Sequence, residues 1–336
     1  MRIAVTGSIA ADHLMTFPGR FTEHLIEGHL DRVSLSFLAD DLVIRRGGVA
    51  ANICFGLGVL GLSPVLIAAA GTDFAEHSTW LTRHGVDTSA VRISARQHTA
   101  RFVCTTDRDH NQIATFYAGA MREARQIELA GIARRVGGFA ITVIGANDPE
   151  AMLRHTSECR ERGYAFLADP SQQLARIGEA AARALIDGAA GLFTNEYERE
   201  LLERTTGWPA SRILDQVGVW VTTLGPRGVL VERPGAPTLR VPAMPSGQAA
   251  DPTGVGDAFR AGFIAGMTWD LGDLRSAQLG CAVATLALEA VGPQEYALGR
   301  ADFRRRFAAA YGEPAAAEVA PYLPAGSGRN TDLGLK

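Results

Sequence analysis

Lysine is almost absent from this chain: the only one is Lys336, and arginine supplies every other basic residue. A Walker-A phosphate loop, the active site of a protein kinase and an enzyme that forms a Schiff base each require an interior lysine. The scarcity of lysine therefore argues strongly against these three classes. A chain of this composition that moves phosphoryl groups must hold them with backbone amides, arginine and Mg²⁺.

Cysteines and long apolar runs are also scarce. The four cysteines show no CxxC or Cys/His spacing, which argues against a disulfide framework and a zinc site. No apolar run is long enough to cross a bilayer, and the formal charge of −3 argues against nucleic acid or an anionic membrane as the main partner. We therefore expect a soluble cytoplasmic protein whose 336 residues can bury the core of one large α/β domain.

Apolar runs of strand length alternate with helical stretches from about residue 120 onward. The predicted strands are residues 140–144, 165–168, 191–194 and 219–223. This order predicts a mostly parallel central sheet with helices on both faces, that is, an α/β domain. Ligands bind at the carboxyl ends of the strands in such sheets, so the polar residues that follow the strands are the candidates for a site.

Two segments near the N-terminus, about 13–45 and 91–118, break this alternation. The first contains a period-two pattern at residues 33–37, and the second contains two such patterns, at 101–106 and 113–117. The two patterns of the second segment predict a hairpin around a polar turn. We expect these segments to form a small β-sheet lid inserted in a domain of residues 1–312. The Ala-, Pro- and Gly-rich segment 313–336 is expected to be a C-terminal tail with a flexible end.

The stretch from Asp251 to Phe259 has the strongest chemical pattern. Gly254 and Gly256 bracket one small apolar residue, and apolar residues at helical spacing follow. A glycine turn that opens into a helix directs several N–H groups and the positive end of the helix dipole into one concavity, which suits a phosphate. Asp257 would lie beside that phosphate, where it could take a proton from an attacking hydroxyl. The alternative is that Asp257 only caps the helix.

Four segments together resemble the ribokinase-like, phosphofructokinase-B family of sugar and nucleoside kinases. Residues 47–52 are similar to the family's glycine pair with a helix-borne Asn, and residues 251–257 to its C-terminal signature. Residues 195–198 are similar to its N-x-x-E element, and residues 223–228 to its nucleotide loop. Within the family, segments 5–13, 35–38, 98–102 and 169–176 are most similar to bacterial adenosine kinases. The resemblance implies a three-layer α/β/α fold with a lid.

The resemblance also implies a role for each matching residue. Asp257 would be the general base, and the amides of Gly254, Val255 and Gly256 would stabilise the transferring group. The implied nucleoside site consists of Ser8, Asp12, Gly47, Gly48, Asn52, Phe102, Phe116, Gln172 and Gln173. The implied ATP contacts are Asn195, Thr223, Gly225, Pro226 and Gly228, and Mg²⁺ would be held through water by Asn195 and Glu198.

Each of these roles has a plainer alternative. Phe102 and Phe116 could stack on a purine or could simply pack the lid. Asp12 could bind the ribose diol or serve as a turn residue, and the two glutamines could be solvated loop residues. Asn195 and Glu198 could simply start a helix, since Asn is a good cap.

The expected function is that of an ATP- and Mg²⁺-dependent adenosine kinase, which makes AMP and ADP in purine salvage. The resemblance also implies a homodimer through the lid. Whether a monovalent cation such as K⁺ binds near Asp251 and Thr253 stays an open question. Two alternatives remain: a ribokinase- or fructokinase-like sugar kinase, and a nucleoside-binding regulator without catalysis. The intact Asp257 favours catalysis, because a pure binding protein needs no carboxylate beside the terminal phosphate.

Overall fold

A computed structural model describes residues 2–24 and 36–325 of the chain. Its strands are β1 (Arg2–Thr6), β2 (Ala10–Thr16), β3 (Asp41–Gly47), β4 (Val65–Ile67), β5 (Ala69–Gly71), β6 (Arg92–Ser94), β7 (Ala100–Thr106), β8 (Gln112–Tyr117), β9 (Phe139–Ile144), β10 (Phe166–Ala168), β11 (Gly191–Asn195), β12 (Trp220–Thr223), β13 (Val229–Glu232) and β14 (Leu239–Val241). Its α-helices are α1 (Val49–Val59), α2 (Ala75–Arg83), α3 (Leu129–Val136), α4 (Pro149–Arg162), α5 (Glu179–Ile186), α6 (Glu196–Thr206), α7 (Ala210–Leu214), α8 (Val255–Thr268), α9 (Gly272–Leu288), α10 (Arg300–Tyr311) and α11 (Glu313–Val319).

Eight strands form the main sheet, in the order β14-β13-β12-β11-β10-β9-β1-β4. Neighbours from β4 to β12 run parallel, while β13 and β14 continue the sheet in the antiparallel sense. The four strands predicted between residues 140 and 223 agree with β9 to β12 within one residue at each end. The predicted α/β class with a mostly parallel sheet is confirmed.

Side chains alternate between two helical layers because successive residues of a strand point to opposite faces. Ile3 and Val5 join the core that contains α1, α8 and α9, whereas Ala4 joins the core that contains α3 to α6. The strands of the sheet centre therefore read as continuous apolar runs, as expected of a parallel sheet that is covered on both faces. No helix among the described residues is long and apolar enough to cross a membrane.

A second sheet of four strands, in the order β3-β2-β7-β8, is formed by the segments predicted to be a lid. The predicted hairpin is β7–β8, and it pairs Phe102 directly with Phe116. The alternation expected at residues 33–37 falls largely on residues 33–35, which lie outside the described part of the chain. Whether this sheet closes over a ligand stays a prediction.

The chain beyond residue 312 differs from the predicted tail. Helix α11 follows directly, and its Ala315, Ala316 and Val319 are buried in the same core as α9 and α10. Leu323, after that helix, is also buried there. The packed domain therefore extends to at least residue 323, because small apolar side chains in an Ala-rich segment can cover a core even where composition alone indicates a linker.

The close crossing of α8 and α9 generates a prediction about stability. A Cβ added at Gly262 would lie 2.7 Å from the Leu279 carbonyl oxygen and 2.8 Å from the Gly280 Cα. Since both obstacles are backbone atoms, we expect Gly262→Ala to push the helices apart and to lower the free energy of unfolding by about 1–3 kcal/mol.

Gly131→Ala is the matched control for this substitution. Gly131 lies in α3, is exposed, and a Cβ there would meet nothing within 4 Å. This control should raise stability by about 0.5–1 kcal/mol, because alanine favours the helix. Urea unfolding of both variants measures the difference, and equal effects would contradict the close crossing.

Candidate active site

A cavity of about 470 Å³ lies between the small sheet and the carboxyl ends of the central strands. It is lined by Ser8, Ala10, Asp12, Gly48, Val49, Asn52, Phe102, Phe116, Met121, Ala146, Gln172, Gln173, Arg176, Thr253, Gly254 and Asp257. These residues come from β2, β7, β8, the starts of α1 and α8, and the segments that follow β1, β9 and β10. The cavity therefore lies where ligands bind in open parallel sheets.

The structure brings together most of the residues that the sequence predicted for a nucleoside site. All of them line the cavity except Gly47, whose hydrogen faces Asp12: a Cβ at Gly47 would lie 2.9 Å from the Asp12 Oδ2. Of the predicted catalytic residues, Asp257 and Gly254 line the cavity, while Val255 and Gly256 continue the first turn of α8.

Gly48 is required by the backbone that joins the small sheet to α1. Its φ of 101° lies in the left-handed region, and a Cβ would lie 2.6 Å from the Ile9 Cα and from the Ala10 amide nitrogen. Only glycine therefore allows the start of α1 to approach β2. The Ser8 hydroxyl accepts a hydrogen bond from the Val49 amide at 3.1 Å, which fixes the same junction.

Helix α8 begins at the cavity without a side-chain cap from the described residues, and its first amide, that of Val255, makes only a long hydrogen bond of 3.4 Å to the Pro252 carbonyl oxygen. Gly254, its N-cap, has a φ of 76°, and a Cβ there would lie 2.3 Å from the Pro293 Cβ. The uncapped amides and the helix dipole make this end of the cavity suitable for an anion.

Asp257 and Asn52 meet where α8 crosses α1. The buried Asn52 side chain donates a hydrogen bond through Nδ2 to the Asp257 Oδ2 at 2.8 Å. Burial raises the pKa of Asp257 to about 7, while Arg260 and the hydrogen bond from Asn52 oppose the rise. A carboxyl group with this pKa exchanges protons near neutrality, as a general base must.

Arg260 is the buried cation beneath this carboxylate. Its NH2 lies 2.6 Å from the Asp169 Oδ1, 3.3 Å from the Ser171 hydroxyl and 3.9 Å from the Glu198 Oε2. Asp169 and Glu198 both raise the pKa of Asp257 by repulsion, and Arg260 counteracts them. One guanidinium thus compensates several buried carboxylates and also holds the turn that carries Gln172 and Gln173.

Asp12 is a second carboxylate with altered acidity. Burial raises its pKa to about 6, and the negative charge of Asp251 adds to the rise. It lies on β2 in register with Phe102 on β7, so that a carboxylate and an aromatic ring face the cavity from adjacent strands. The pair offers a hydrogen-bond acceptor and an apolar surface to one ligand.

The predicted nucleotide and metal residues form a separate group that does not line the cavity. Asn195 and Thr223 are paired in register at the carboxyl ends of β11 and β12. Asn195 and Glu198 form a capping box at the start of α6, in which each side chain accepts a hydrogen bond from the other residue's amide at 2.8 Å.

The loop after β12 belongs to the same group. Gly225 and Pro226 are exposed, whereas Gly228 is buried, and a Cβ at Gly228 would lie 2.0 Å from the Val241 carbonyl oxygen. Contact with β14 alone is therefore enough to explain the glycine at position 228. Among the described residues, no group of three or more acidic, His or Cys side chains could hold a metal ion.

Sequence reasoning missed several residues of the site. Arg260 had a usable signal, because it is a charge within the apolar run of α8 and therefore needed a buried partner. Asp169, its partner, follows a buried strand, and the sequence indicates it only as one of several polar residues at strand ends and within a family segment, without a role of its own. Met121 and Ala146 had no signal, since their position depends on how distant elements pack.

Comparison with known proteins identifies the family of the chain. The family model described as pfkB family carbohydrate kinase matches residues 8–298. The structure of a Burkholderia thailandensis nucleoside kinase in complex with inosine is 32% identical, with a TM-score of 0.80 over 92% of this chain and 98% of that one. The same kinase in complex with ADP-inosine is 31% identical and aligns with a TM-score of 0.78 over 98% and 99% of the two chains.

Two curated relatives are a nucleoside kinase and a cytidine kinase. The nucleoside kinase of Methanocaldococcus jannaschii is 26% identical over 253 residues, which are 74% of this chain and 80% of that protein. The cytidine kinase of Thermococcus kodakarensis is 26% identical over 248 residues, or 72% and 87% of the two chains.

The raised pKa of Asp257 predicts how stability depends on pH. The pKa is about 7 in the folded chain and has its ordinary value of 3.8 in the unfolded chain, so the folded state binds more protons between those values. The contribution of Asp257 to stability is therefore complete below about pH 4 and declines as the pH rises to 7. Asp257→Asn cannot ionise and avoids this loss.

We expect Asp257→Asn to be more stable than the parent chain at pH 8 by about 2 kcal/mol, since one pKa unit equals about 1.4 kcal/mol and solvent in the open cavity screens part of the shift. Near pH 4 the two proteins should differ little. Urea unfolding at both pH values gives the comparison. Equal stability at pH 8 would mean that the carboxylate is well solvated in the folded chain.

Proposed function

The chain belongs to the pfkB family of carbohydrate kinases, as its motifs predicted, and we propose that within this family it is an adenosine kinase that transfers the γ-phosphoryl group of ATP to the 5′-hydroxyl of adenosine. The observation that carries the proposal is the arrangement inside one cavity: a carboxyl group with a pKa of about 7 beside an uncapped helix start, and an aromatic pair from the lid sheet. A general base, an anion site and a stacking surface are what a nucleoside kinase requires.

The proposed reaction begins when Asp257 takes the proton from the 5′-hydroxyl. The hydroxyl oxygen forms a bond with the γ-phosphorus, the bond from that phosphorus to the bridging oxygen breaks, and its electron pair leaves with ADP. The amides of Gly254, Val255 and Gly256 stabilise the negative charge on the transferring group. The products are AMP and ADP, so the reaction returns a free purine nucleoside to the nucleotide pool, as in purine salvage.

The nucleoside would lie along the cavity away from Asp257. Asp12 accepts hydrogen bonds from the ribose hydroxyls. The absence of a side chain at Gly47 leaves room for that carboxylate, and Gly48 lines the cavity where the sugar can approach the backbone. Phe102 and Phe116 stack on the base. Gln173 is buried and lines the cavity, and its Oε1 has no hydrogen-bond partner among the described residues, so a donor such as the adenine amino group would satisfy it.

ATP would lie on the other side of Asp257, over the ends of β11 and β12. Thr223, Gly225, Pro226 and Gly228 are the proposed contacts, and the Arg176 guanidinium at the edge of the cavity suits a phosphate. Mg²⁺ neutralises charge on the phosphates when bound.

The Asn195 and Glu198 side chains suit contact with a Mg²⁺ ion through its bound water better than they suit direct ligation of the ion. The Asn195 Oδ1 and the Glu198 Oε2 already accept hydrogen bonds within the capping box, which leaves contact through water. A site for K⁺ stays a prediction, since the Asp251 carboxylate already accepts hydrogen bonds from the Thr253 and Gly292 amides.

We also propose that two copies associate through the lid. The face of the small sheet that points away from the cavity carries the exposed side chains of Leu42, Ile44, Ile113 and Tyr117. An apolar face of this kind on a small sheet indicates an interaction surface.

An assay of ADP release with adenosine, inosine, ribose and fructose in parallel tests the proposed activity. We expect adenosine to give the highest kcat/KM. We also expect Asp257→Asn to lower kcat by roughly two to four orders of magnitude at pH 8, because the base is lost, while the chain stays folded.

The outcomes with the other substrates distinguish the alternative functions from one another. Preference for ribose or fructose would assign the chain to the sugar kinases, and no turnover with any of them would favour a binding regulator. Preference for inosine would keep the mechanism and change the substrate. Unchanged turnover in Asp257→Asn would remove this residue from the mechanism.

Phe102→Ala tests the stacking of the base. Loss of the ring should raise KM for adenosine by about tenfold, since an aromatic pair contributes about 1 kcal/mol or more beyond its buried area, and should leave KM for ribose within about twofold. Val103→Ala is the matched control, because Val103 follows on the same strand and points to the opposite face. A similar change in KM for both sugar and nucleoside would indicate that Phe102 only packs the lid.

A further inference from the structure

Four polar side chains from four parts of the chain form a continuous line of hydrogen bonds that ends at Asp257. The His77 Nε2 lies 3.0 Å from the Gln294 Oε1, the Gln294 Nε2 lies 2.9 Å from the Asn52 Oδ1, and the Asn52 Nδ2 lies 2.8 Å from the Asp257 Oδ2. His77 is on α2, Asn52 on α1 and Asp257 on α8, while Gln294 follows α9.

The line is buried behind the cavity rather than exposed within it. Gln294 is fully buried, Asn52 is 6% exposed and His77 is 9% exposed. Of the four residues, only Asn52 and Asp257 line the cavity. Buried amides without partners are costly, so each of these groups is constrained to the partners that the structure gives it.

The chemistry of the groups allows only one direction for the hydrogen bonds. An ionised carboxylate only accepts, so Asn52 must present its NH₂ group to Asp257 and its oxygen to Gln294. Gln294 must then donate through Nε2 and accept through Oε1, which requires a proton on the His77 Nε2. Burial lowers the pKa of His77 to about 4, and this favours the neutral ring in which the other nitrogen carries no proton.

We propose that Gln294 and His77 are positioning residues that lock the Asn52 amide with its N–H directed at Asp257, and that this lock keeps the carboxylate oriented and ionised. The proposal rests on the proposed role of Asp257 as the base. A hydrogen bond donated to the charged form of an acid lowers its pKa, so the line opposes the rise caused by burial. Without Gln294, the Asn52 amide is free to turn its oxygen toward Asp257.

Other charges face both ends of this line. Arg260, Asp169 and Glu198 act on Asp257, and the buried Tyr296 hydroxyl is also close enough to be influenced by it. Arg46 and Glu76 act on His77. None of these groups is removed by substitution at position 294, so a change in the acidity of Asp257 in such a variant reports on the line itself.

Gln294→Met tests the proposal, because it keeps the length of the side chain and removes both hydrogen bonds. We expect the acidic limb of the pH profile of kcat to move to higher pH by about one unit. The value of kcat should then fall about tenfold near pH 6 and recover above pH 8. The KM for the nucleoside should stay within about twofold of the parent value. His77→Leu should shift the limb in the same direction, and His77→Gln, which keeps an N–H donor, should restore the parent profile.

Ser78→Ala is the matched control. Ser78 follows His77 on α2 and makes a hydrogen bond with Thr88 at 2.9 Å, outside the line. It should lower stability without moving the pH profile. A loss of kcat that is uniform across pH, or a loss of stability alone in Gln294→Met and His77→Leu, would overturn the proposal and leave the line a packing feature.

Titration of the Asp257 carboxyl carbon by NMR in the unliganded chain separates this proposal from the proposed activity. The signal is assigned by its loss in Asp257→Asn, and we expect its midpoint to rise by about one pH unit in Gln294→Met. An unchanged midpoint would overturn the positioning role even in an active kinase. A raised midpoint in a chain that phosphorylates no nucleoside would support the line and contradict the proposed function instead.

Discussion

The contact between Asn52 and Asp257 is the constraint on which the site depends. The two residues are 205 positions apart, and they meet only because α1 and α8 cross closely. A Cβ at Gly56 would lie 2.6 Å from the Ala261 Cβ and from the Tyr296 hydroxyl, so a glycine on α1 and an alanine on α8 allow that approach. The same two helices begin at left-handed glycines, which join α1 to the lid sheet and aim α8 at the cavity. The proposed base, the small sheet and the proposed anion site are therefore positioned by one packing arrangement.

Electrostatic balance beneath this contact gives neighbouring carboxylates different roles. Asp169 lies 2.6 Å from the Arg260 guanidinium and is fully buried, so that it is held as one partner of an ion pair. Among the residues that the structure describes, Asp257 has no such direct ion pair, and it accepts a hydrogen bond from the neutral Asn52 amide. Removing Arg260 would leave several acidic groups without a buried cation, which is strongly unfavourable. The buried Arg260 thus balances the acidic groups around it. The pKa of Asp257 stays near 7, so this carboxyl group can change its protonation state.

The two halves of the proposed active site differ in how directly the structure supports them. The nucleoside half is a lined cavity in which the buried Gln173 Oε1 has no hydrogen-bond partner within residues 2–24 and 36–325. The nucleotide half is a set of strand ends and turns whose polar groups already satisfy each other, as in the capping box of Asn195 and Glu198. Backbone groups and water molecules recognise phosphates and a hydrated ion. The nucleotide half is therefore harder to recognise in the unliganded chain than the nucleoside half.

The sequence by itself determined the fold class, the strands β9 to β12, the hairpin of the small sheet, the family and the position of Asp257 at a glycine-bent helix start. These features are local, because a strand alternation or a glycine turn is written in neighbouring residues. The tertiary structure alone decided that Arg260 pairs with Asp169, that α11 closes the core, and that His77 and Gln294 stand behind Asn52. Each of those contacts joins elements that are far apart along the chain. The packing of the helices on the sheet determines which residues meet in these contacts. No short sequence pattern predicts them.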